Sequence, residues 1–243
     1  MERTDPGGDC LTHPPPPRGE ASRQAVRPAR AACGCDDSRE VQVVPSDARS
    51  AESRERILAA AAIEFADRGY AGTSIALIAE KSATGKGLVQ YHFKAKSDIA
   101  LAIVGSAFSQ APFANVLGVD SVHGLEAVVA SIRSVADAFR DNVRVRAAVR
   151  LMREYHLIPA TLPTPYVGWI ARIGALLREA EAAGEIRQGL DSEREAWHLV
   201  GYFYGVQEIS NRLAAREDLP ERIEEMLARA LVTLGATTPE RYL

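Results

Sequence analysis

Three features of the sequence predict an all-α protein. Apolar residues recur at three- and four-residue spacing from Ser53 to about position 234, and no strand-like alternation competes with them. Gly118, Gly124, Pro159, Pro163, Pro165, Gly184, Gly189 and Pro220 fall between the periodic runs and divide them into separate helices. The 243 residues are 47% hydrophobic and 25% charged, a globular composition that excludes collagen-like, mucin-like and wholly disordered chains and leaves room for one or two domains.

Residues 1 to about 50 carry 7 of the 13 prolines, including the run Pro14 to Pro17, and read as a disordered tail. Cys10, Cys33 and Cys35 all lie there, so no disulfide framework is expected in the core. Cys33-Gly34-Cys35 has no following His or Cys pair at ligand spacing, and no metal or other cofactor is expected. From Ser53 the texture changes: Ile57, Ala61 and Phe65, with Leu58, Ala62 and Ala66 beside them, form the stripe of an amphipathic helix that Gly69 ends. Thr73 reads as the N-cap of a short second helix carrying Ile75, Ile78 and Ala79, and after a turn Leu88, Val89 and His92 mark a third. A fourth starts near Ser97 and runs through Ile99, Ile103 and Val104. Five more are expected at about 123–140, 142–156, 165–183, 191–216 and 219–234.

Charge is segregated along this chain. The net charge is −3, yet all four lysines, Lys81, Lys86, Lys94 and Lys96, fall in a span without Asp or Glu, a +4 segment on a remainder of −7. The second and third helices that bear this patch have the size and order of a helix-turn-helix, in which the second helix enters the major groove. Ile75, Ile78, Ala79 and Leu88 are expected to lock the pair, leaving Lys86, Gln90 and Tyr91 outward. The lysines can neutralise phosphates, while Gln90 can read adenine or Lys86 guanine. An ordinary solvated surface on a small helical subdomain is the competing interpretation.

The run R-E-R-I-L-A-A-A-A-I-E-F-A-D-R-G-Y-A-G-T-S-I-A-L-I-A-E-K from Arg54, then G-K-G-L-V-Q-Y-H-F-K-A-K-S-D-I-A from Gly85, resembles the N-terminal domain of the TetR family of bacterial repressors. The resemblance spans Ser53 to about Val104. It implies a homodimer whose three-helix heads bind a palindromic double-stranded operator, and a C-terminal domain whose small-molecule signal releases the DNA. Carried onto this chain, Thr73 and Ser74 would contact phosphate, Lys86, Gln90, Tyr91 and His92 would face DNA, and Lys96 would touch phosphate. Four positions depart from the family pattern. Ala83 replaces the usual turn glycine, Gly85 the usual hydroxyl at the start of the recognition helix, Gln90 a common tyrosine, and Ala95 a common Ser or Asn. They bear on operator sequence and affinity rather than on the fold.

Further along, V-R-A-A-V-R-L-M-R-E-Y, L-P-T-P-Y-V-G-W-I, A-E-A-A-G-E-I and G-Y-F-Y-G-V-Q-E-I-S resemble the γ-butyrolactone receptor branch of that family, particularly its furan-sensing relatives that control antibiotic clusters in filamentous actinobacteria. Trp169 falls where that branch places a pocket tryptophan, and Tyr166 lies three residues before it, on the same helix face. The resemblance makes the pair a clamp for a small lactone or furan ring, with Met152, Tyr155, Phe203, Tyr204 and Gln207 around the same cavity. The expected organisation is a tail at 1–50, a DNA-binding head at 53–104 and a ligand-binding and dimerisation domain at 105–236.

An enzyme finds little support. His13, His92, His123, His156 and His198 make no metal spacing, and there is neither a Gly-rich phosphate loop nor a Ser or Cys in a nucleophile motif. No run is apolar enough to span a membrane and no secretory signal opens the chain, so a cytoplasmic protein is expected. Two alternatives stay open beside a signal-released repressor. One is a co-regulator or pseudo-receptor with weakened DNA binding, and the other a drug-sensing repressor of an efflux pump.

Overall fold

The structure, a computed structural model, describes residues 46–109 and 122–243, and among these every regular element is helical. The three cysteines and Gly118 lie outside the described residues. Nine α-helices appear in the expected order: α1 Ser46–Gly72, α2 Ile75–Lys81, α3 Lys86–His92, α4 Lys96–Ser109, α5 Gly124–Asp141, α6 Val143–Arg153, α7 Pro165–Ala182, α8 Ser192–Ala214 and α9 Leu219–Leu234. Because α1 begins at Ser46, the last residues assigned to the tail are helical.

The predicted stripe of α1 is its buried face, with Ile57, Leu58, Ala61, Ala62 and Phe65 all in the core. Gly69 breaks this helix as expected, at φ 70 and ψ −176, a conformation that suits a residue without a Cβ. A Cβ there would collide with the Glu154 carboxylate, so glycine also admits the α6 terminus to the base of α1. Next to the break the Tyr70 N–H donates to Glu154 Oε2 at 2.6 Å, and Arg150 Nη1 donates to the carbonyls of Ala66 and Asp67. These bonds satisfy backbone groups that the helix end leaves open.

Around this joint α6 packs along both α1 and α4, while α2 and α3 lean on α1. The remaining helices form a second layer in which α7 packs on α5 and α8, and α9 on α5 and α8. Core residues run continuously from Ile78 and Val89 in the short helices to Leu227 and Leu231 in α9. Burial of this contiguous apolar face, at roughly 25 cal/mol per Å², is the main term that fixes the helix arrangement.

Two local expectations need correction. Ser74, rather than Thr73, is the α2 N-cap: its hydroxyl accepts from the Leu77 N–H at 3.2 Å, whereas the Thr73 hydroxyl donates to the Gly69 carbonyl at 2.8 Å and is buried. Val89, rather than Leu88, anchors α3, since Val89 is fully buried and Leu88 is 37% exposed. The one-residue difference is a 100° rotation on a helix, which a seven-residue apolar pattern is too short to resolve.

Candidate functional site

The turn between α2 and α3 is built from the residues that depart from the family pattern. Ala83 sits at φ 52, the left-handed conformation that a glycine would take without strain. Ser82 offsets part of that cost. Its hydroxyl lies 2.7 Å from the Ile78 carbonyl, to which it donates, and 2.7 Å from Thr84 Oγ1, and the Thr84 N–H closes the turn onto the Ala79 carbonyl at 2.9 Å. Gly85 is the α3 N-cap and supplies no side-chain bond to the first turn. The free amides at the start of α3 therefore lack the cap that Ser or Thr would provide.

Burying Val89 turns the opposite face of α3 to solvent. Lys86, Gln90 and Tyr91 are exposed there, Tyr91 at 71%, and His92 is half-buried with its ring 5.2 Å from that of Tyr91. Ser74 is exposed at the start of α2, and Lys94 follows α3 on the surface. The lysine patch divides in two. Lys86 and Lys94 project outward, whereas Lys81 lies 3.8 Å from Glu64, a pairing shared with Arg68. Lys96 is half-buried. Its ammonium donates to the carbonyls of Tyr70 at 2.6 Å and Thr73 at 2.8 Å and lies 4.1 Å from the centre of the Tyr70 ring. Burial lowers its pKa, and Glu154 pulls the other way. Two of its three donors thus fasten the end of α1, and the inward Thr73 hydroxyl belongs to the same joint.

In the second layer the predicted aromatics form a chain of edge contacts. Trp169 meets Phe203 at 5.1 Å and 89°, Phe203 meets Phe139 at 5.3 Å, and Tyr166 meets Tyr204 at 4.8 Å. Trp169 is 7% exposed and its indole N–H donates to Ser131 Oγ at 3.3 Å. Tyr204 is deeply placed, and burial, followed by the neighbouring Tyr166, raises its phenol pKa, so it acts as a neutral group. Gln207 is buried too, donating to the Tyr204 carbonyl and accepting from Arg216.

Of the seven predicted pocket residues, three line an open cleft of about 650 Å³: Met152, Tyr155 and Tyr166. Its remaining wall comes from the segment between His156 and Thr164, residues outside the predicted set. Pro159 and Pro163 were the signal for that segment, because they hold the chain off helix between α6 and α7. Trp169, Phe203 and Gln207 are buried in the core, and Tyr204 packs half-buried against it. The cleft lining combines Thr161 and Thr164 with Leu162 and Ile158, suiting a ligand with an apolar body and a few polar atoms. Met152 and Tyr155 flank Glu154 in sequence, so the cleft shares a corner of backbone with the joint at Tyr70.

Among the described residues no cluster of His, Cys, Asp or Glu could hold a metal, and no helix is long and apolar enough to cross a membrane.

Residues 57–103, spanning α2, α3 and most of α1 and α4, match the family profile of bacterial regulatory proteins, tetR family. The chain is 29% identical over 188 residues to the A-factor receptor protein of Streptomyces griseus, covering 77% of this chain and 66% of that receptor, just under two thirds of its length. It is 36% identical to a solved structure concerned with the molecular basis for control of antibiotic production by a bacterial hormone, covering 76% of this chain and 98% of the other at a TM-score of 0.70. It is also similar to the TetR family protein CprB from Streptomyces coelicolor in complex with its biological operator sequence. There the identity is 26%, the cover 80% of this chain and 94% of the other, and the TM-score 0.65.

Proposed function

The chain belongs to the TetR family of bacterial regulatory proteins, and on that premise we propose that it is a transcriptional repressor. In this reading it binds a palindromic operator as a homodimer and is released by a small hydrophobic signal of butyrolactone, butenolide or furan type. The observation that carries the reading is the outward face of α3, with Lys86, Gln90 and Tyr91 exposed over the buried Val89. Lys86 and Lys94 neutralise phosphates and set the register, and Gln90 reads a base edge in the major groove. The operator-bound relative supports DNA as the partner. The A-factor receptor and the structure concerned with hormone control support antibiotic biosynthesis genes as the targets.

The cleft at the α6–α7 corner takes the signal, with Tyr166 offering a hydroxyl to a carbonyl or carboxylate. A ligand seated there presses on Met152 and Tyr155 and, through Glu154 and Arg150, on the base of α1. To move the population from 1:99 to 99:1 it must prefer the DNA-incompetent state by roughly 10⁴-fold, about 5.5 kcal/mol. One aromatic contact supplies only about 1 kcal/mol beyond its burial, so several walls of the cleft must rearrange together.

The test is an electrophoretic shift with promoter fragments neighbouring the gene, run with and without culture extract. A shift reversed by extract is expected, and absence of any shift at low salt rejects the reading. The strained Ala83 and the uncapped Gly85 favour a second reading, a co-regulator with weakened DNA binding. That reading predicts extract binding without an operator shift.

A further inference from the structure

Beside the end of α6, between Ala66 of α1 and the last residues of α8, lies a cavity of about 520 Å³. Arg146, Arg150 and Arg153 of α6 line it together with Arg212 near the end of α8 and Arg216 just past it, and Glu154, Asn211 and Ala66 complete the wall. Most of these guanidiniums are occupied. Arg153 and Arg212 share Glu208, Arg150 bonds Glu154 and the α1 carbonyls, and Arg146 donates to the Arg140 carbonyl.

Arg216 is different. It is 5% exposed, its Nη2 donates to Gln207 Oε1 at 3.2 Å, and its buried Nε has no hydrogen-bond partner among the described residues. It forms no ion pair with a carboxylate among the described residues, and it lies amid four other arginines. Burial, then Arg153 and Arg146, push its pKa down to about 10. Glu208 pulls the other way and the guanidinium lies over the Phe139 ring at 5.9 Å, but a buried charge with no carboxylate in direct contact is costly. The backbone beneath it is strained as well, since Ala215 and Arg216 both take positive φ, at 49 and 69. Two successive left-handed residues are what turn this side chain inward at the end of α8 rather than into solvent.

We propose that this cavity binds a small-molecule oxyanion, a phosphate- or carboxylate-bearing solute held by Arg216 from inside and by Arg146, Arg153 and Arg212 around the mouth. The planar guanidinium presents a fork of N–H donors that matches either group in a bidentate pair, and five guanidinium side chains line this one cavity. Five arginines against Glu154 and Glu208 leave a surplus of three positive charges, which a multiply charged anion would offset. The site is separate from the proposed signal cleft, and its occupancy is read without DNA.

Isothermal titration of the full chain with inorganic pyrophosphate, and separately with citrate, at constant ionic strength set by chloride, tests the assignment. The two arms distinguish a phosphate from a carboxylate ligand. Saturable binding of one or both probes at one site per chain is expected, weakened at least roughly tenfold by Arg216→Gln. An exposed arginine outside the cavity, in Arg178→Gln, should leave it unchanged. If circular dichroism shows that Arg216→Gln does not fold, Arg212→Gln and Arg153→Gln at the mouth carry the comparison, each expected to weaken binding severalfold. Failure of both probes to bind, or affinity equal in the wild type and the cavity variants, overturns the site.

Discussion

At Ala83 a single methyl group decides between two backbone regions. The left-handed conformation costs a Cβ-bearing residue roughly 1–2 kcal/mol, while a glycine loses somewhat more entropy on folding. Ala83→Gly should therefore raise unfolding stability by about 0.5–1 kcal/mol, read as a higher urea midpoint at unchanged slope. A lower midpoint would mean that the turn does not need positive φ. That strain was legible in the sequence, because alanine stands where a turn glycine is usual. Trp169 was less legible. Its spacing from Tyr166 was read correctly as one helix face, but the pattern could not tell a ring exposed to a cleft from one packed on Phe203 and bonded to Ser131. Trp169→Ala should accordingly cost about 3–5 kcal/mol of stability, measured by thermal or urea unfolding. A loss under 1 kcal/mol would return Trp169 to an open pocket.

Among the elements, long periodic runs and their breakers carried the most information. Gly69, the Pro159–Pro163 segment and Gly184 divide the chain where the structure does, because a glycine or proline changes the local backbone options whatever surrounds it. The short helices α2 and α3 were recognisable by order and charge, yet the burial of Val89 and the cap at Ser74 were not, since tertiary contacts with α1 choose the buried side. The same contacts divide the lysines. Lys86 and Lys94 face solvent while Lys96 is held by two carbonyls, a distinction invisible in a count of charges. Lys86→Ala with Lys94→Ala should lower the slope of log affinity against log salt by about one unit per lysine in each head, and weaken binding to all sequences alike. An unchanged slope would place these lysines off the DNA. Neither the arginine cavity nor the joint at Glu154 could be read in advance, because each assembles from helices far apart in sequence.

For the whole molecule, the apolar residues of α8 and α9 divide between a core and an outer face. Val200, Ile223, Met226, Leu227 and Leu231 close the monomer core. Trp197, Tyr202, Ile209, Leu213 and Val232 remain exposed on these two helices, Leu213 at 82%. Exposed apolar side chains gathered on two neighbouring helices fit a two-fold interface. Light scattering at micromolar concentration should give a dimer, with Trp197→Glu plus Ile209→Glu shifting it to monomer, and a wild-type monomer would contradict this face. Such a dimer presents two α3 helices to half-sites one helical turn apart or a multiple of it.

Signal-dependent release of DNA is the claim on which the functional account rests. It is tested most directly by fluorescence anisotropy of a labelled operator duplex from the protein's own locus, bound by the full chain and titrated with butyrolactones, butenolides and furan carboxylic acids. At least one compound should return the anisotropy to that of free duplex, and Tyr166→Phe should need about tenfold more of it for the same release, the loss of one hydrogen bond in the cleft. Retained anisotropy across the whole panel, or release by the same concentration from Tyr166→Phe and from wild type, would contradict the account.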